Sequence, residues 1–177
     1  MTVDLHNLDI AKLTIRCYPD PVLLRSADPV EQFDADLADL ADRMSDMMIE
    51  AAGIGLAAPQ VGVSVRLIVI SPSGRREDTQ VIVNPELTDM QGWSESDEGC
   101  LSLPNICATV RRSASCTVNA NDLQGNNITF PADELPARVI QHETDHLNGT
   151  LFIDRLSTVS RFACRKAIKQ LVNNYSR

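Results

Sequence analysis

The chain has 177 residues, 44% of them hydrophobic and 23% charged, the make-up of an ordinary globular domain rather than a disordered chain. It is too short for a barrel of eight β/α units, which needs about 250 residues, and no apolar run approaches the roughly 18 residues of a membrane helix. The net charge of −8 is unevenly spread: residues 155–177 hold Arg155, Arg161, Arg165, Lys166, Lys169 and Arg177 and no acid, a charge of +6 that leaves −14 on the rest. An acidic body disfavours general binding of DNA or RNA. The basic end suits either a local contact with RNA or a solvated helix face.

The first residues include Asp4 and Asp9 and lack a basic start before an apolar stretch, which argues against a secretory signal. The five cysteines at 17, 100, 107, 116 and 164 are odd in number and irregularly spaced, so no disulfide framework is expected. A reducing cytoplasm is the expected compartment; a mature organellar form is also compatible. No repeat or linker divides the chain, so residues 1–177 are expected to form one domain.

After an irregular start around Pro19-Asp20-Pro21, a helix is predicted from about Glu31. Phe33, Leu37, Leu40, Met44, Met47, Met48 and Ala51 recur at steps of three and four on one face, and Gly53 suits the position that ends a helix. The period then changes. Residues 63–70, 79–84, 108–112, 115–120 and 126–130 are rich in β-branched residues and bounded by turn residues. Asp122–Asn126 reads as a hairpin turn. Short loops between strands predict antiparallel or mixed sheets. A second helix is expected from about Asp133, as an Asp cap, to Leu147, with Pro136 in its first turn. A last helix, capped by Ser157, should run to about Asn174 with Val159, Phe162, Ala163, Ala167, Ile168 and Leu171 as its apolar positions. Together these predict an α+β fold, with β-sheets packed around the second helix and further helices at each end.

The strongest chemical signal lies in that second helix: His142-Glu143-Thr144-Asp145-His146 is an H-E-x-x-H pattern in the helical context that gives it meaning. At about 100° per residue the two imidazoles sit roughly 40° apart on adjacent turns, so both reach one ion. Glu143 and Asp145 fall on opposite flanks of the pair, each about 80° from its centre. A catalytic metal site needs a third protein ligand. Beyond His146 the only acid is Asp154 and there is no histidine, so the third ligand is sought upstream. Cys100, in Glu98-Gly99-Cys100-Leu101-Ser102-Leu103-Pro104, sits in a shaped, Gly/Pro-punctuated segment. The other four cysteines fall in strand or helix patterns and read as small buried hydrophobes.

Gly53-Ile54-Gly55-Leu56-Ala57-Ala58 formally matches a dinucleotide fingerprint, but a helix precedes it and a strand follows, the reverse of the required order. A backbone open to close approach by a peptide-like ligand is the better reading. Gln60, just beyond, offers a neutral amide donor.

Three segments together resemble the peptide deformylase family: Gly53–Gln60, Glu98–Pro104 and Gln141-His142-Glu143-Thr144-Asp145-His146-Leu147-Asn148-Gly149. The resemblance implies removal of the formyl group from the N-terminal formyl-methionine of new polypeptides. It implies Cys100, His142 and His146 as ligands of one divalent ion, with Fe(II) expected and Zn, Ni or Co as replacements. It makes Glu143 the acid/base, and Gln60 and the backbone N–H of Leu101 the groups that hold the formyl oxygen. Gly55 would pair with substrate backbone, and Ile54, Leu135 and Val139 would line the methionine pocket. Glu98 is grouped with the substrate-contacting residues and is also expected to orient a ligand. Asp145 is expected to pair with Arg111 or Arg112 behind the site. Asn105-Ile106-Cys107 departs from members that carry a basic residue there. The lack of a long insertion matches the compact bacterial type, whose C-terminal helix docks on the ribosome; a monomer without membrane contact is expected. The competing readings are a zinc endopeptidase, a non-catalytic peptide- or ribosome-binding relative, and a structural zinc site that unfolds on chelation.

Overall fold

A computed structural model describes residues 5–175; Asp4 and Arg177, which enter the charge arguments above, lie outside the described residues. In chain order the elements are α1 (Ala35–Glu50), β1 (Gly55–Ala57), β2 (Leu67–Ile70), β3 (Gln80–Gln91), β4 (Ser94–Gly99), β5 (Cys107–Arg112), β6 (Ser115–Asn121), β7 (Asn127–Asp133), α2 (Glu134–Leu147) and α3 (Thr158–Tyr175), with short 3₁₀ turns between some of them. Five strands form one sheet in the order β1-β2-β3-β6-β7, and β4 pairs only with β5. Every strand pair is antiparallel, so the α+β expectation stands and its mixed-sheet option falls away. No helix among the described residues is long and apolar enough to cross a membrane.

The β2 sequence Leu-Ile-Val-Ile is buried on both faces. Its alternation sorts the interior into two layers. Leu67 and Val69 pack with Leu37, Leu40, Met44 and Met48 of α1. Ile68 and Ile70 pack with Ala137, Ile140 and Leu147 of α2. The sheet therefore separates the two helices and pins α2 by its apolar residues. A third cluster, around Leu103, Val110 and Phe152, joins β5 to the chain after α2.

Helix α1 begins later than expected because Asp34, rather than Glu31, caps it: its carboxylate accepts from Leu37 N–H at 3.1 Å. At the other end the left-handed residue is Ala52 (φ 53°), not Gly53. Ala52 N–H bonds to Ile49 C=O and Gly53 N–H to Met48 C=O, each at 2.9 Å, the paired bonds of a Schellman ending. Gly53 is needed for space instead: a Cβ there would lie 3.1 Å from Leu101 Cδ1.

Several strands differ from expectation. The run 63–70 is strand only over Leu67–Ile70, because Ala58–Val61 winds into a 3₁₀ turn that Gly62 (φ 89°) closes. Strand β3 runs on past Asn84-Pro85, absorbing them in a register shift between Val83 and Glu86. Strand β7 likewise passes through Pro131, which an edge strand permits. Strand β4, Ser-Glu-Ser-Asp-Glu-Gly, was not expected at all; its composition is that of a loop. The 122–126 hairpin forms as predicted, with Asp122 Oδ1 accepting from the Gln124 and Asn126 N–H groups at 2.9 Å.

Asp133 occupies the cap position of α2 without a side-chain cap bond; Glu134 N–H bonds instead to Ala114 C=O at 2.9 Å. Ser157 does cap α3, accepting from Ser160 N–H at 3.1 Å. Helix α3 lies loosely on the third cluster through Ala167, Ile168 and Leu171. Val159 and Phe162, expected on its apolar face, are 80% and 73% exposed. Of the four cysteines expected to be buried, only Cys116 is, while Cys17 and Cys164 are half-buried and Cys107 is exposed.

A Cβ in the left-handed region costs about 1–2 kcal/mol. Ala52→Gly should therefore raise stability by roughly 0.5–1 kcal/mol after the entropy of the unfolded glycine is included. Urea unfolding of the variant beside the wild type measures this, and an unchanged midpoint would show that the helix end is unstrained.

Candidate active site

Helix α2 carries the two histidines one turn apart, and the turn after β4 brings Cys100 to them. The Leu103 N–H bonds to Cys100 C=O at 3.0 Å, which fixes that turn. Cys100 Sγ lies 3.2 Å from His146 Nε2. One donor atom each from Cys100, His142 and His146 fall within 4.8 Å of one another. Tetrahedral bonds of about 2.0–2.3 Å separate neighbouring ligands by about 3.4–3.6 Å, so a thiolate and two imidazoles in this arrangement fit one divalent ion.

Glu98 orders this cluster. Its Oε2 is 2.9 Å from His142 Nδ1, which leaves Nε2 as that ring's free ligand atom. Arg112 donates to both Glu98 oxygens at 2.6 and 2.9 Å, and Arg138 adds a bond of 2.6 Å. The third Arg112 nitrogen, Nη1, donates to Asp145 Oδ2 at 2.8 Å, and Arg155 donates to Asp145 Oδ1 at 2.6 Å. Of the two arginines considered for Asp145, Arg112 is therefore the partner. Arg111 points elsewhere, its guanidinium 4.3 Å from the centre of the Trp93 ring. Glu98 borders the cavity, and protein groups engage both of its oxygens.

Gln60 is buried at 1% exposure. The Ala57 N–H donates to its Oε1 at 2.8 Å, so its NH₂ is turned to Ser102 Oγ at 3.2 Å and Cys100 Sγ at 3.4 Å. Glu143 is 4% exposed, and its Oε2 is buried without a hydrogen-bond partner. Gly55 lies against it: an added Cβ would overlap Glu143 Oε1 and come within 2.8 Å of Val139 Cγ1. Phe152 stacks beside His142, centroids 6.1 Å apart.

These groups open on a cavity of about 810 Å³. Of the residues singled out from sequence, Ile54, Gly55, Gln60, Glu98, Cys100, Leu101, Leu135, Val139, His142 and Glu143 all border it. His146 is beneath it at 1% exposure, and Asp145, Arg111 and Arg112 lie on the far side of α2. Arg138, Gln141, Ser102 and Arg155 were missed. Arg138 stands one turn before His142, a spacing that places it on the ligand's face. Gln141 clamps Ser113 through both its N–H and C=O, at 3.1 and 2.9 Å, and nothing in the sequence marks that.

The field in the cluster is uneven. Burial pulls the His142 ring down, but hydrogen bonds to Cys100 and Glu98 outweigh it and lift the ring to about 10. Burial, with His142 and Arg112 nearby, keeps His146 well below the ordinary histidine range. Burial pushes Glu143 up to about 7. For Glu98 burial also pushes up, yet the bonds from His142 and Arg112 prevail and hold it at about 2.

Because the folded value of Glu98 is about 2 against 4.5 for a free carboxyl, folding favours its ionised form. That stability is complete above about pH 4.5 and is lost as pH falls towards 2, a change of about 3 kcal/mol. Urea unfolding between pH 6 and 2 should show this slope in the wild type. In Glu98→Gln the slope should shrink, on top of a lower stability at every pH; equal slopes would place the acid-sensitive group elsewhere.

The polypeptide deformylase family model matches residues 12–162. A peptide deformylase of Thermodesulfovibrio yellowstonii is 45% identical over 162 residues, covering 90% of this chain and 98% of that protein. Among solved structures, a peptide deformylase of Plasmodium falciparum superposes with a TM-score of 0.90 at 35% identity, covering 92% of this chain and 97% of that one. One from Legionella pneumophila superposes at 0.85 with 42% identity, covering 93% and 98%. Sequence match, shared fold and the Cys-His-His cluster agree: the chain is an enzyme of the polypeptide deformylase family.

Proposed function

We propose that this chain removes the formyl group from the N-terminal formyl-methionine of newly made polypeptides and releases formate. The observation that carries the reading is that the three donor atoms of Cys100, His142 and His146 meet in one place beside Glu143 and Gln60.

Cys100, His142 and His146 would hold the ion, and their thiolate and imidazole donors suit Fe(II), with Zn, Ni or Co as replacements. When bound, such an ion supplies a Lewis acid and lowers the pKa of water at its open position. Glu143 takes the proton from the attacking water and gives it to the departing amine. Its raised pKa suits both duties, since a group that titrates near neutrality both accepts and returns a proton. The Gln60 amide, oriented by Ala57 N–H, and the Leu101 N–H hold the formyl oxygen as charge builds on it. Donors of this kind are worth roughly 3–4 kcal/mol each. Gly55 lets substrate backbone lie close to Glu143, and Ile54, Leu135 and Val139 receive the methionine side chain. Glu98 fixes His142, and Arg112 and Asp145 fix Glu98 from behind.

Residues 1–177 act as a single catalytic domain, as a monomer and in the cytoplasm of a bacterial-type cell. Exposed Val159 and Phe162, flanked by Arg161, Arg165, Lys166 and Lys169, form the surface with which α3 would contact the ribosome.

Enzyme prepared anaerobically with Fe(II) should release formate from a short formyl-methionyl peptide. Glu143→Ala should lower the rate about 10²–10⁴-fold with metal retained. Formate production by the variant at the wild-type rate, or none by metal-loaded wild type, would overturn the reading. Cys100→Ala should lose most of its metal by elemental analysis while Glu143→Ala does not. Full metal content in Cys100→Ala would remove the cysteine from the ligand set.

A further inference from the structure

Helix α2 shows Leu135, Val139 and Glu143 to the cavity described above, and Gln141, Thr144 and Asp145 to a second cavity of about 550 Å³ behind it. The proposed reaction makes no use of a ligand there. Four arginines border this second cavity, Arg66, Arg111, Arg112 and Arg155, against two carboxylates, Glu86 and Asp145. The excess is positive in a chain whose net charge is −8.

Arg112 is saturated by Glu98 and Asp145, but the other three are not. Arg66 is half-buried and donates only to neutral acceptors: Pro85 C=O at 3.0 Å, Asn148 Oδ1 at 2.9 Å and Leu147 C=O at 3.5 Å. Burial pulls its pKa down, and Glu86 offsets this only in part. Arg111 rests on Trp93, whose ring is part of the same wall and 68% exposed. Arg155 spends Nε and Nη2 on Asp145 and keeps Nη1. Thr144, which also borders the cavity, is 8% exposed and has a buried hydroxyl without a hydrogen-bond partner.

From this juxtaposition we propose a phosphate-binding site: Arg66, Arg111 and Arg155 take the oxygens of a phosphate group, and Trp93 packs beside the body that carries it. Guanidinium groups match phosphate oxygens in geometry and keep their charge when half-buried. The guanidinium groups outnumber the two bordering carboxylates, Glu86 and Asp145, whereas a phosphate presents enough oxygens for all three. The volume is larger than a free phosphate ion needs, and the exposed indole favours a ligand with a planar or apolar part. The ligand is therefore a phosphate ester, either a phosphorylated small molecule or a stretch of RNA backbone.

Trp93 is the only tryptophan in the chain, so its emission reports from the cavity itself. The probes are inorganic phosphate, adenosine monophosphate and a ten-residue oligouridylate, each titrated at constant ionic strength, with calorimetry on the same samples in case emission is silent. Phosphate should bind saturably, and about tenfold more weakly in Arg66→Gln and in Arg111→Gln. The second variant leaves the Arg66 contacts with Pro85 and Leu147 intact, so it decides the matter if Arg66→Gln does not fold. Tighter binding of the mononucleotide than of phosphate assigns a small molecule, and tighter binding of the oligonucleotide assigns RNA. A response equal to that of chloride, or affinities unchanged in the variants, overturns the site.

Discussion

One buried carboxylate organises the catalytic end of this molecule. Glu98, at 6% exposure, joins His142 of α2, Arg112 of β5 and Arg138 of α2. A carboxylate this far from water is costly unless charged partners surround it. Here the partners are two guanidinium groups and an imidazole, and each comes from an element that must be in place before the cluster exists. The arrangement also explains β4, whose polar sequence has little reason to be a strand. It is held by its ladder to β5 and by Arg138, which donates to Ser94 C=O at 2.7 Å. Cys100 lies two residues beyond Glu98, so the carboxylate that orients His142 also bears on the position of Cys100.

Helix α2 reconciles two demands that ordinarily conflict. Its residues from Ala137 to Leu147 are all buried, yet seven of those eleven are polar or charged. The apolar minority, Ala137, Val139, Ile140 and Leu147, locks onto β2 and the neighbouring strands. Four of the seven polar residues are held by named partners: Gln141 by Ser113, Asp145 by two arginines, His142 by Glu98 and Arg138 by Glu98 and Val110. The exceptions within α2, Glu143 Oε2, Thr144 Oγ1 and His146 Nδ1, lie in the H-E-x-x-H motif. Rigidity and reactivity are thus separated by atom rather than by segment.

What could be read from sequence followed the reach of local pattern. Helices α1 and α2 and the Cys-His-His set were legible because period 3.6 and the H-E-x-x-H spacing survive in one dimension. The alternation of β5 decides between Arg111 and Arg112: Val110 and Arg112 fall on the buried face and Arg111 does not. Strand β4 was invisible because it is stabilised by side chains from α2 and β5, not by its own residues. In one dimension Arg155 is just the first charge of a basic tail, since its bond to Asp145 spans a turn with no periodicity. The continuation of β3 was hidden by Asn84-Pro85, which ends a strand in most contexts; here Asn84 Nδ2 donates to Val30 C=O at 2.9 Å and the bulge is held from outside the sheet.

The same electrostatics link metal uptake to protons. In the isolated chain the field of Glu98 and Cys100 holds a proton on His142, while burial and that positive charge keep His146 neutral. A divalent ion needs His142 as a neutral ligand and Cys100 as a thiolate, so it must displace that proton to enter. Acid then opposes loading at two places, at the ligands directly and at Glu98, whose protonation would release His142 from its orientation. The bonds that keep Glu98 ionised are the same ones that orient His142, so the shape of the cluster rests on a carboxylate held well below the ordinary range.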